Sequence, residues 1–141
     1  MILLDTSFVI ALLDKKDSLH SRAKKIFQLV PEDEDLVVHY LVKQESYTVT
    51  CRRSLEKGKD PEKAISILES FFASVGSLSD LPSEKDVLGV MKEAGCELSY
   101  VDAALVLLSK KLSSRVLTLD EKLKKHLGKG GFFPSVPQRT R

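Results

Sequence analysis

Four acidic residues interrupt otherwise apolar stretches of this chain. Asp5 stands directly after Ile2-Leu3-Leu4, and Asp120 follows Val116-Leu117-Thr118 by two residues. Asp102 has Leu98, Leu105 and Val106 at helical spacing around it. Glu45 has Leu41, Val42 and Val49. Neighbours three and four positions away share a helix face, so both acids project along apolar stripes. An unpaired carboxylate on such a face is costly. Four that converge would repel one another and hold some of their protons to higher pH. A hard divalent cation removes that conflict, because Mg²⁺ and Mn²⁺ take oxygen ligands. His20, His39 and His126 are scattered and the cysteines form no paired motif, so zinc is not the expected ion.

Three of these acids also admit a purely structural reading. Asp5 can cap a helix that begins at Thr6. Ser99-x-x-Asp102 has the form of a capping box, and Asp120 can cap a last helix or sit inside Thr118-x-x-Glu121. Glu45 lies in mid-helix and has no capping role. An ion pair with a lysine or arginine would satisfy it, and so would a shared metal.

The elements that must position these groups are legible as short apolar runs alternating with amphipathic helices. Strands are expected at 1–4, 36–38, weakly within 75–81, at 115–118 and at 132–136. Helices are expected from 6 to about 14, from a cap at Asp17 or Ser18 to about 30, and from 40 to 57. Further helices should run from Pro61 (capped by Asp60), from Ser83 to 94, from Ser99 to 112 and from 120 to 127. Alternation of this kind argues for α/β architecture with a parallel sheet, whose strands are buried on both faces. Ligands in such folds bind beyond the carboxyl ends of the strands. Asp5 and Asp120 fall there.

Composition narrows the classes further. With 141 residues, 43% of them hydrophobic and 30% charged, the chain is expected to be one globular domain rather than disordered. The domain is expected over 1–136, with 137–141 a loose tail. The net charge of +2 selects no partner. The pairs Lys15-Lys16, Lys24-Lys25, Arg52-Arg53, Lys110-Lys111 and Lys124-Lys125 are singly ordinary solvated faces, though together they could hold a phosphate backbone. Cys51 and Cys96 are expected to be buried or half-buried thiols in a reducing compartment. The N-terminus lacks the form of a signal peptide, and no run approaches the ~18 apolar residues of a membrane span. A cytoplasmic protein is expected. Tyr40, Tyr47, Tyr100 and the phenylalanines are mostly placed like core residues, so no stacking platform is evident.

The ordered set of motifs resembles the PIN-domain nuclease family over nearly the whole chain. Ile2-Leu3-Leu4-Asp5-Thr6-Ser7 resembles its opening strand and first acid, and His20-x-x-Ala23 a pattern of its second helix. Glu45 in Val42-Lys43-Gln44-Glu45 resembles the second acid. Leu98-Ser99-Tyr100-Val101-Asp102-Ala103 and Leu117-Thr118-Leu119-Asp120 resemble the remaining two acidic motifs. The match is weakest at about 58–81. The resemblance implies a three-layer domain with a parallel sheet of about five strands flanked by helices, and a site where Asp5 and Asp102 are the central metal ligands. Glu45 and Asp120 would complete it, with Thr6, Ser7 and Thr118 as polar support. It implies a Mg²⁺- or Mn²⁺-dependent endoribonuclease acting on RNA. Small members are often VapC-like toxins, so it also implies an antitoxin partner and a homodimer. Lys43, Arg52 and Arg53 are candidate phosphate contacts.

Two other functions compete. A non-catalytic PIN-type module would bind RNA or protein without needing metal or the acids. Phosphoryl transfer on a small molecule would need a second aspartate two positions after Asp5, and Ser7 stands there.

Overall fold

The computed structural model describes residues 1–134. Its strands are β1 (Ile2–Leu4), β2 (Leu36–His39), β3 (Gly76–Leu78), β4 (Arg115–Leu117) and β5 (Phe132–Phe133). Between them run α1 (Thr6–Leu13), α2 (His20–Gln28), α3 (Tyr40–Glu56), α4 (Pro61–Ala73), α5 (Glu84–Glu93), α6 (Tyr100–Leu112) and α7 (Glu121–Leu127). The expected end of the last strand at 136, and the expected tail at 137–141, lie outside the described residues.

All the strands pair in parallel, in the order β3-β2-β1-β4-β5. β1 is central, and Ile2, Leu3 and Leu4 are fully buried because helices cover both faces. Parallel crossovers are almost always right-handed. The chain moves one way from β1 through β3 and the other way from β3 to β5. That rule therefore places α1–α4 on one face and α5–α7 on the other. Helix packing agrees, with α1 on α2 and α3, α3 on α4, α5 on α6, and α6 on α7. The result is an α/β three-layer domain of five parallel strands and seven helices among the described residues.

The core follows the apolar stripes of the sequence. Phe8, Val9, Val38, Leu68, Leu105, Val116, Leu117 and Leu123 join the β1 residues in one cluster. A smaller cluster of Val87, Ala103 and Ala104 takes in Leu41, so the first turns of α3 and α6 meet through it. Gly58 (φ +64°) and Gly95 (φ +60°) follow α3 and α5 in the left-handed conformation that ends a helix without a Cβ penalty.

Some local expectations change. Leu19, not Asp17 or Ser18, occupies the N-cap of α2, and it makes no side-chain cap bond. Asp17 instead accepts from the Leu19 N–H and from Arg53, so its carboxylate anchors a turn and an ion pair. Cys96 is exposed, not buried, and sits at φ +61° just beyond the end of α5. Among the described residues no helix is long and apolar enough to cross a membrane.

Candidate active site

The strand order reverses between β1 and β4, the place where open parallel sheets form a crevice beyond their carboxyl ends. Asp5 directly follows β1 and Thr118 directly follows β4 at this point. Asp5 is 2% exposed and caps α1, accepting from the Phe8 N–H at 2.9 Å. Ser7 Oγ lies 3.0 Å from both its oxygens, and the fully buried Thr118 hydroxyl donates to Oδ2. Thr118 Oγ1 in turn accepts the Asp120 N–H at 3.0 Å, which ties the two strand ends together. The capping and site readings of Asp5 are therefore not exclusive, since one carboxylate meets both demands. Burial nonetheless pushes its carboxyl up to about 7, opposed by the bonds from Thr118, Phe8 and Ser7 and assisted by the negative charge of Asp102.

Asp102 is the hub of the acidic set. It lies in the first turn of α6 beyond the cap Ser99, whose Oγ accepts the Asp102 N–H at 3.1 Å. Its carboxyl is pushed up to about 6, first by burial and then by the charges of Asp120 and Glu45, against hydrogen bonds from Ser99. Each of the other three acids thus acts electrostatically with Asp102. Glu45 is half-buried in α3, and Asp120 is half-buried at the N-cap of α7, where it accepts from Lys122 N at 2.9 Å and Leu123 N at 3.3 Å. Glu121 takes no part in a box with Thr118 and pairs with Arg22 and Lys124 instead.

The donor chemistry suits a hard cation. Among the described residues no ion pair reaches Asp5, Glu45, Asp102 or Asp120. The Thr6 hydroxyl is buried beside Asp5 without a partner among the described residues. Also among them, no group of three or more His, Cys, Asp or Glu side chains is arranged to hold a metal ion as it stands. Mg²⁺ needs no such cage, because it usually keeps several waters beside one or two carboxylates. Asp5 and Asp102 satisfy that smaller requirement in kind.

Of the basic residues singled out as phosphate contacts, Arg53 and Lys43 are otherwise engaged, whereas Arg52 is exposed on α3. Arg53 binds Asp14 at 3.1 Å and Asp17 at 2.9 Å. Lys43 donates to Ser77 and lies 5.9 Å from the centre of the Phe72 ring. His20 Nδ1 bonds the Ala11 carbonyl at 2.8 Å, a packing role. His39 is the polar residue that sequence reading missed. It is 1% exposed, takes the Leu41 N–H on Nδ1 at 3.1 Å, and reaches the Asp80 carbonyl from Nε2 at 2.7 Å. It thereby caps the helix that carries Glu45. A cavity of about 590 Å³, lined by Ile10, Leu13, Arg53, Lys57 and Leu68 among others, lies toward the far ends of α1 and α3 and holds none of the four acids.

A family model described as PIN domain matches residues 2–128. Among solved structures, the fold is similar to that of PAE2754 from Pyrobaculum aerophilum. The TM-score is 0.70 at 23% identity, covering 93% of this chain and 81% of that one. It is also similar to VapC20 of Mycobacterium tuberculosis, described as a sarcin-ricin loop cleaving toxin. There the TM-score is 0.67 at 20% identity, covering 87% of this chain and 92% of that one. Comparison with curated proteins gives no match.

Proposed function

Because the chain belongs to the PIN domain family, a family of nucleases, we propose that it is a metal-dependent endoribonuclease whose site is Asp5, Glu45, Asp102 and Asp120. The observation that carries the reading is the linked set of carboxyls at the sheet's switch point, where Asp5 feels the charge of Asp102 and Asp102 those of Asp120 and Glu45, with no ion-paired lysine or arginine on any of them among the described residues.

Asp5 and Asp102 would hold a Mg²⁺ or Mn²⁺ ion, with Glu45 and Asp120 completing the shell directly or through water. Bound there, the ion would polarise the scissile phosphate and lower the pKa of the attacking water. The protein's part is orientation. Thr118 and Ser7 fix the plane of the Asp5 carboxylate, and Ser99 fixes the start of the helix bearing Asp102. With carboxyls at about 7 and 6, both acids carry protons over part of the neutral range, so cation binding releases protons.

The finer reading follows the VapC-like resemblance: a toxin acting on RNA in the cytoplasm, restrained by an antitoxin and working as a homodimer, with the nuclease domain spanning 1–136. The experiment combines the purified protein, its Asp5→Asn variant and mixed structured RNAs with Mn²⁺, Mg²⁺ or EDTA. Cleavage that needs the cation and falls to background in the variant is expected. Growth arrest on expression, relieved by Asp5→Asn, would extend the result to the toxin. No cleavage, together with no calorimetric cation binding, would overturn the reading and leave the non-catalytic binding module.

A further inference from the structure

The chain separates its charges along α3. Glu45 belongs to the acidic set, whereas Arg53 and the C-cap Lys57 stand about 12 and 18 Å further along the helix axis. There α1, α3 and the first turns of α4 enclose the cavity of about 590 Å³. Small-molecule sites typically measure roughly 300–1,000 Å³, with an apolar lining and a few convergent polar groups.

Part of the lining is aliphatic. Ile10 and Leu68 are buried, Leu13 and Ala64 are half-buried, and Ile67 is 44% exposed. The rest is mostly cationic: Lys15, Lys16, Arg53, Lys57, Lys59 and Lys63 stand there with two carboxylates, Asp14 and Asp60. Both carboxylates are already committed. Asp14 holds Arg53 at 3.1 Å and Lys57 at 3.8 Å, and Asp60 caps α4 through the Glu62 N–H at 3.0 Å. Lys15, Lys16, Lys59 and Lys63 make no ion pair among the described residues. Their ammonium groups are also crowded. Lys59 is held below the usual lysine range, first by its contact with Lys16 and then by that residue's charge, with Lys57 acting the same way and Asp14 opposing. Cations gathered beside an apolar concavity repel one another until an anion neutralises them.

We propose that this cavity binds an organic phosphate, with a phosphate or diphosphate head among Lys16, Lys57 and Lys59 and an apolar body against Leu13, Ala64 and Ile67. A phosphate carries about −1.5 to −2 charge at neutral pH and three acceptor oxygens, so it answers several ammonium donors at once. A carboxylate of an acidic peptide brings a single charge. Inorganic phosphate leaves the aliphatic wall wet, and an RNA backbone tracks the cations without filling the cavity. The site shares no residue with the four acids, so it stands or falls apart from the nuclease reading.

The test is calorimetric titration of the full chain at low salt without divalent cation. The probes are hexyl phosphate, adenosine diphosphate and inorganic pyrophosphate. At least one organic probe is expected to bind tenfold or more tightly than pyrophosphate, and which one does so tells an alkyl body from a nucleoside. Lys16→Gln with Lys59→Gln should weaken that binding by roughly 10- to 150-fold, the worth of a hydrogen bond to a charged group. Lys59→Arg keeps the charge and should retain most of it. Ala64→Phe fills the cavity and should exclude the organic probes while pyrophosphate still binds. Ile67→Ala, at an exposed position, removes apolar wall without touching the core and should weaken the organic probes alone. Circular dichroism checks that each variant is folded.

Failure of both organic probes to bind overturns the proposal, and so does pyrophosphate binding as tight as theirs. Affinity indifferent to Lys16→Gln with Lys59→Gln does the same. An acidic, leucine-containing peptide that binds where the organic probes do not would give the cavity to a protein partner. RNA affinity that falls with these lysines, without probe binding, would give the cations to a nucleic-acid backbone. Asp5→Asn should bind the probes like wild type. Probe binding without cation-dependent cleavage would sink the nuclease reading alone, and cleavage without probe binding would sink this proposal alone.

Discussion

Thr118 holds the Asp5 carboxylate from a strand more than a hundred positions away, and it is the strongest influence lowering that carboxyl. Thr118→Val is nearly isosteric but removes both the donor to Asp5 and the acceptor for Asp120 N. It leaves buried polar groups unpaired, so it should cost about 1–3 kcal/mol in urea unfolding. Ligand-orienting partners typically contribute 10–100-fold to metal affinity, so calorimetric Mn²⁺ affinity should fall by about that factor, and Thr118→Ser should restore most of it. The pH behaviour of the metal-free protein follows from the same residue. The folded-state carboxyl of Asp5 is raised from 3.8 to about 7, so between those values the folded state binds more protons than the unfolded one. This contribution to stability is full below about pH 4 and is lost as pH rises through about 7. Asp102 acts in the same direction up to about pH 6. Metal-free wild type and Asp5→Asn should therefore be similarly stable near pH 4, and the variant more stable at pH 8. Burial sets an upper bound on that gap, on the order of 4 kcal/mol. Parallel stability curves for the two proteins would show that Asp5 is not the group that titrates.

At the level of elements, the helix starts were the most legible part of the sequence. Asp60-Pro61, Ser83 and Ser99 each carry a local chemical reason to begin a helix, and each caps one. β1 and β4 were equally plain as apolar runs ending in or near an acid. What sequence could not expose were interactions between distant segments. Arg53 meets Asp14 and Asp17 across 39 and 36 positions, so a residue read as a phosphate contact is an anchor between α3 and the loop after α1. The α2 start misled because Asp17 has that competing partner. β3 read weakly because it is a short edge strand with two of its three residues exposed. Tyr40 and Tyr100 read as core residues, but as the first residues of α3 and α6 they stand outside the packed turns and are exposed. His39 was overlooked because a histidine at an N-cap has no sequence signature. His39→Ala should remove the Leu41 cap and the tether to Asp80, costing about 2 kcal/mol by loss of a cap and a buried bond. Hydrogen exchange should accelerate at Leu41 before the rest of α3. Uniform acceleration along the helix would mean that His39 supports the core as a whole and not this end.

For the whole molecule, the centre of the sheet and the candidate site are the same place. β1 is the central strand, all three of its residues are fully buried, and the next residue is Asp5. β4 pairs with β1 and leads to Thr118 and Asp120. The acids Glu45 and Asp102 arrive from helices on opposite faces of that sheet, so only the folded chain gathers the set. A cation that binds this set should find little affinity in the unfolded chain. It should then stabilise the fold by mass action, about 1.4 kcal/mol for each tenfold excess over its dissociation constant. The melting temperature of wild type should thus climb steadily with Mn²⁺ at pH 7.5, where the metal-free acids are most in conflict, and climb less at pH 5, where protons compete. Asp5→Asn should begin from a higher metal-free melting temperature and respond little. Leu4→Ala should start lower, by the 2–5 kcal/mol typical of a buried leucine, and still respond, because it weakens the strand without removing a ligand. An Asp5→Asn variant that gained as much from Mn²⁺ as wild type would move cation binding away from the switch point to some other surface. A Leu4→Ala variant that folds but fails to respond would mean that β1 must be intact to bring Asp5 into register with Asp102.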